Sequence, residues 1–120
     1  MSNVNDALAK LMEVDGAIGV SLVDYESGMT LGQTGGGALN LDIASAGNTK
    51  VVRSKMEVMK NLGLSDRIED ILITLGSQYH LIRPLASVPN LFLYFALDRA
   101  KANLGMARHK LTAIESDIEL

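Results

Sequence analysis

The chain has 120 residues, no cysteine, and 11 Lys and Arg against 14 Asp and Glu, for a net charge of -3. Without cysteine there is no disulfide, thiolate chemistry or cysteine zinc site. The acidic balance and 4% aromatic content offer neither the basic footprint nor the stacking platforms of a nucleic-acid binder.

No stretch reaches the roughly 20 apolar residues of a spanning helix, so membrane insertion is not expected. Met1–Asp6 has no basic n-region and no glycine after Met1. A cytoplasmic chain without signal peptide or lipid anchor is expected, folded as one domain over residues 1–120.

Val4, Ala7, Leu8, Leu11 and Met12 recur at helical spacing and predict a short helix, α1 (4–12), which Ser2 or Asn3 can cap and Gly16 stops. Residues 17–24 read as a strand, β1, with Ile18, Val20 and Leu22 on one face. The other face, Ala17, Gly19 and Ser21, is small enough to admit a helix closely. Residues 25–28 turn, residues 29–34 return as β2, and Gly35, Gly36 and Gly37 break the pattern.

From Asn40 to Leu62 the period is helical (α2), and Gly63 supplies the terminating residue. One stripe of α2, Leu41, Ala44, Val52, Met56, Met59 and Leu62, is an ordinary sheet-facing surface. A second row, Gly47, Val51, Ser54 and Val58, is small and weakly apolar, with Asn48, Lys50, Arg53 and Lys55 beside it. Either a second helix packs on this row or it is a surface under weak constraint.

Three apolar runs follow, 68–75 (β3), 79–85 (β4) and 91–97 (β5), separated by Gly76-Ser77-Gln78 and Ser87-Val88-Pro89-Asn90. Such punctuation predicts an antiparallel meander. β5 is apolar at both parities, which a sheet tolerates only where both faces are covered, so β5 is expected at the centre. Pro84 cannot donate to a ladder and predicts a strand end or bulge. The closing helix, α3, is expected from Arg99 to Ile118, capped by Asp98, with Ala100, Leu104, Ala107, Leu111, Ile114 and Ile118 on its buried stripe.

Reactive groups do not converge along the sequence. The glycine run has no Gly-Lys-Ser/Thr closure and so matches no phosphate loop. His80 and His109 lack metal-ligand spacing, and Asp66, Glu69 and Asp70 read as a solvated guard at the start of β3. No catalytic residue, metal ligand or cofactor site is assigned. An enzyme on this chain would have to use the Asp66, Glu69 and Asp70 cluster with His80, and a ligand sensor would use a pocket between sheet and helix.

The element order, with Gly16-Ala17-Ile18-Gly19-Val20-Ser21-Leu22-Val23-Asp24, Asp70-Ile71-Leu72-Ile73-Thr74-Leu75-Gly76 and Tyr79-His80-Leu81-Ile82-Arg83-Pro84-Leu85, closely resembles bacterial roadblock/dynein light chain proteins over essentially the whole chain. The resemblance implies an α/β profilin-like sandwich: an antiparallel sheet in the order β2-β1-β5-β4-β3, with α2 alone on one face and the other two helices opposite. It also implies a homodimer formed by pairing β3 with its copy and packing the α2 helices side by side. The expected interface residues are Gly47, Val51, Ser54, Val58, Ile68, Ile71, Leu72 and Ile73. Bacterial relatives commonly act with a small Ras-like GTPase by reshaping it, without an arginine finger. The resemblance therefore implies a non-enzymatic regulator without a cofactor, for which Lys50, Arg53 and Lys55 are the candidate docking residues. Other relatives are scaffolds or motor light chains.

Overall fold

A computed structural model describes residues 3–120. Along them run α1 (Val4–Leu11), β1 (Ala17–Asp24), β2 (Thr30–Gly35), α2 (Leu41–Asn61), β3 (Ile71–Thr74), β4 (Gln78–Pro84), β5 (Leu91–Asp98) and α3 (Leu104–Asp117). The strands form one antiparallel sheet in the order β2-β1-β5-β4-β3.

The parity of β5 divides the core into two layers. Leu91, Leu93, Phe95 and Leu97 pack with Leu8 and Leu11 of α1 and Ala107, Leu111 and Ile114 of α3. Phe92, Tyr94 and Ala96 pack on the opposite face with Leu41 and Val52 of α2. Fully burying one such large apolar side chain contributes roughly 1.5–3 kcal/mol, so this strand anchors both layers.

β1 departs from strict alternation. Ala17 pairs with Leu97 and Gly19 with Ala96, which makes Ile18 the extra residue of a bulge. Ile18 therefore packs on the α2 side and Ala17 on the α1/α3 side, the reverse of the alternation expected from sequence. Beyond the bulge the small face does admit α2. A Cβ on Gly19 would lie 2.8 Å from the Gly36 backbone nitrogen, and Ser21 Oγ sits 3.1 Å from Ser45 Oγ, both residues being buried.

α2 starts where the Asn40 side chain accepts from the N–H groups of Asp42 and Ile43. It ends in a left-handed turn at Gly63 (φ +70°), where Gly63 N–H donates to Lys60 O and Leu64 N–H to Met59 O. That turn carries Leu62 off the sheet, so Leu62 is 65% exposed rather than buried in the stripe. Ser45 and Thr49 occupy buried positions instead, the Thr49 hydroxyl donating to Ser45 O at 2.8 Å.

Two other boundaries move. β3 is shorter than the apolar run: in register with Ile71 opposite Ile82, the next partners would be Arg83 and Pro84, and Pro84 has no N–H to give. Ile68, expected in the edge strand, lies outside it, in the segment that leads to β3. α3 begins at Leu104, not Arg99, because Asp98 is still held in the sheet by its N–H bond to Gly16 O, and Asn103 provides the cap to Met106 N–H. Asp98 instead closes a turn, accepting from Ala100 N–H on its carboxylate.

α1 is not capped by the Asn3 side chain, which bonds to Asp117 O and Glu119 N–H and so ties the first helix to the end of the last. Ser2, the other expected cap, lies outside the described residues.

Candidate protein-interaction surface

Gly47, Val51, Ser54 and Val58 all lie on the outer face of α2, with Val51 37% and Val58 45% exposed. Val51, Ser54 and Val58 of this row, with Lys50 and Lys55 at the rim, form a shallow depression. Nothing lies within 4 Å of a Cβ built on Gly47. Arg53 separates from the two lysines: it lines a different hollow, with Tyr25, Glu26 and Met56. The three expected docking residues are thus divided between two hollows on α2.

β3 is an edge of the sheet, with no strand beyond it among the described residues. Ile71, Leu72 and Ile73 are each half-buried; Ile71 and Ile73 lean on the α2-side layer and Leu72 on the other. The strand Ile71–Thr74 carries no proline and no charge, which are the usual guards against pairing with another strand. The opposite edge, β2, is irregular. It has a register shift against β1 at Leu22/Val23 and runs into Gly35, Gly36 and Gly37, all at positive φ.

Beside β3, on the α2 side, lies a polar group that sequence reasoning missed. Tyr94, in an otherwise apolar strand, places its hydroxyl 3.1 Å from His80 Nδ1, and His80 Nε2 lies 2.7 Å from Gln78 Oε1. The two rings meet edge to face at 5.3 Å. This network fits a neutral imidazole that donates from Nε2 and accepts at Nδ1. Burial holds the His80 imidazole below its ordinary 6.5 and pushes the Tyr94 phenol up to about 12. A tyrosine inside an apolar run signals that a partner is needed, but only the β4–β5 register identifies His80 as that partner.

The acidic residues do not converge with His80. Asp70 pairs with Arg108 of α3, on the opposite face of the sheet, and the Asp66 carboxylate accepts from the Arg67 backbone N–H. Among the described residues no group of His, Asp or Glu is arranged to hold a metal ion. None of the described helices is long and apolar enough to cross a membrane.

No family model and no curated protein matches the chain by sequence. Solved structures match it by shape. MglB from Myxococcus xanthus superposes with a TM-score of 0.81 at 15% identity, over 96% of this chain and 86% of that one. A Roadblock/LC7 domain from Streptomyces avermitilis gives 0.79 at 11% identity, over 92% and 90%. An MglB described with a tetrameric arrangement gives 0.69 at 17% identity, over 94% and 88%. The sheet order, helix placement and chain coverage agree: the chain has the roadblock fold.

Proposed function

We propose that this roadblock-fold chain is a homodimeric, non-catalytic regulator that binds a small Ras-like GTPase in the cytoplasm, as a single domain and with no cofactor of its own. The observation that carries the reading is the pairing of two uncovered features: an unguarded edge, Ile71–Thr74, and the small-residue row of α2, Gly47, Val51, Ser54 and Val58. A two-fold axis beside β3 would continue the sheet into a second copy and bring the α2 rows together. An interface of the standard size removes roughly 800 Å² per partner, a modest part of the 6717 Å² surface.

A GTPase partner is what the family resemblance implies, and the fold shared with MglB supports the resemblance. The dimer acts on the switch by holding the GTP-loaded conformation more tightly than the GDP-loaded one, since only differential affinity can shift an equilibrium. Lys50 and Lys55, at the rim of the α2 depression, and Arg53, in the hollow with Tyr25, are the proposed docking residues.

Light scattering should give about twice the 12.9 kDa chain mass for the wild type. Val51→Asp and Val58→Asp should yield folded monomers, because each sets like charges against each other across the two-fold axis. A monomeric wild type, or dimeric and fully stable variants, would refute the interface. Titrating the wild type and Lys50→Ala/Lys55→Ala with each nucleotide state of the GTPase tests the activity. Equal affinity for both states would make the chain a scaffold.

A further inference from the structure

Where the C-terminal end of α2, the approach to β3 and the β4–β5 hairpin meet, the surface carries an open cavity of about 460 Å³. That volume falls in the range of about 300–1,000 Å³ that small-molecule sites occupy. Tyr25, Met56, Met59, Ile68 and Leu91 make its walls apolar. The two methionines have flexible, polarisable side chains that adapt to the shape of an apolar guest.

Its polar lining is unbalanced. Lys60 and Arg67, both exposed, also line the cavity, and the one carboxylate with them is Asp66, whose Oδ1 already accepts the Arg67 backbone N–H at 2.8 Å. The ion pairs among the described residues are Arg83–Glu115 and Arg108–Asp70, so Lys60 and Arg67 have no acidic partner. An apolar hollow lined by two cations and a single carboxylate, a net positive charge, favours a ligand with an apolar body and one anionic head. The planar guanidinium fork matches a carboxylate in particular.

We propose that this cavity binds a small amphiphilic carboxylate of medium chain length, with its hydrocarbon against Met56, Met59 and Ile68 and its head group on Lys60 and Arg67. Its volume corresponds to roughly fifteen waters at about 30 Å³ each, enough for the dozen or so non-hydrogen atoms of decanoate.

Amide shifts in NMR titrations with decanoate below its micellar concentration, with decanol and with decylamine provide the test. Decanoate should shift Tyr25, Ile68 and Leu91 saturably, decanol should bind the same residues about tenfold more weakly, and decylamine more weakly still. Lys60→Gln/Arg67→Gln should bring decanoate down to the affinity of decanol while leaving decanol binding unchanged, which also shows that the cavity is intact. Three outcomes would overturn the proposal: no saturable decanoate binding, equal affinity for the three head groups, or undiminished decanoate binding by the variant.

Discussion

Replacing Glu115 by alanine is expected to remove about 3–5 kcal/mol of stability, even though Glu115 belongs to neither proposed interface element. The Glu115 side chain is 8% exposed and pairs with Arg83 Nε, whose side chain is 13% exposed; its second oxygen accepts the Ala86 N–H at 3.0 Å. One carboxylate thus ties α3 to both the end of β4 and the hairpin that follows. Its removal leaves a guanidinium largely out of water with no counter-charge. Against a total stability of about 5–15 kcal/mol the loss is large, and it corresponds to about 10–20 °C in Tm for a chain of this length. Urea unfolding of Glu115→Ala, Arg83→Met and Arg83→Met/Glu115→Leu, at one fixed protein concentration, separates the terms. Both single variants should be strongly destabilised. The double variant should return to within about 1 kcal/mol of wild type, because two apolar side chains remove the desolvation cost together with the attraction. Asp70→Ala is the internal comparison: Arg108 is 41% exposed there, so about 0–1 kcal/mol is expected. A cost below about 1 kcal/mol for Glu115→Ala, or strict additivity in the cycle, would refute this account of the pair.

Stability should fall at both ends of the pH range through the His80–Tyr94 pair. Below pH 6.5 the unfolded imidazole takes up a proton before the folded one, so stability is lost as the pH drops; above about pH 10 the unfolded phenol ionises while Tyr94 holds its proton to about 12, so stability is lost as the pH rises. Thermal melts across pH should show the acid limb reduced in His80→Gln and the alkaline limb reduced in Tyr94→Phe. Gly19→Ala should destabilise by about 1–3 kcal/mol, because the new methyl meets backbone at 2.8 Å, whereas Gly47→Ala should gain up to about 1 kcal/mol in protomer stability; equal values in denaturant unfolding would refute the close approach of the Gly36 backbone to β1.

Periodicity alone made the sheet legible where a residue's environment follows from its parity. The double-sided burial of β5 and the termination of α2 at Gly63 were read in this way. It failed where a partner elsewhere sets the geometry. Ile18 changes face because β1 pairs with β5 through a bulge, and β3 is cut short because Pro84 on the neighbouring strand cannot extend the ladder. Asp98 and Asn103 are equally good caps in isolation, and the bond from Asp98 N–H to Gly16 O, far away in sequence, decides between them. Ser45 and Thr49 are polar and belong to no apolar stripe, yet they are buried: the small face of β1 lets Ser45 meet the Ser21 hydroxyl, and Thr49 donates to Ser45 O. For the candidate surface, the spacing of Gly47, Val51, Ser54 and Val58 identified an open row. The divergence of Arg53 from Lys50 and Lys55 needed the helix docked on its sheet.

The position of β5 governs how the molecule comes into being. It is the last strand in sequence, yet it lies between β1 and β4. Until Leu91–Asp98 has been synthesised, the β1–β2 and β3–β4 hairpins have no common neighbour, and each presents a bare inner edge next to unfinished hydrophobic layers. At about 5–20 residues per second the ribosome holds the chain in that divided state for about 1–3 s. Inserting the strand then adds a short hairpin to β4 and closes the long loop back to β1, which completes the sheet and the α2-side layer and leaves the other layer to be finished by α3; the long closure makes folding a late event with a high loop-closure cost. A nascent or truncated chain that stops short of Leu91 is therefore the species most exposed to aggregation, and in the cell it depends on whatever shields hydrophobic edges during that interval.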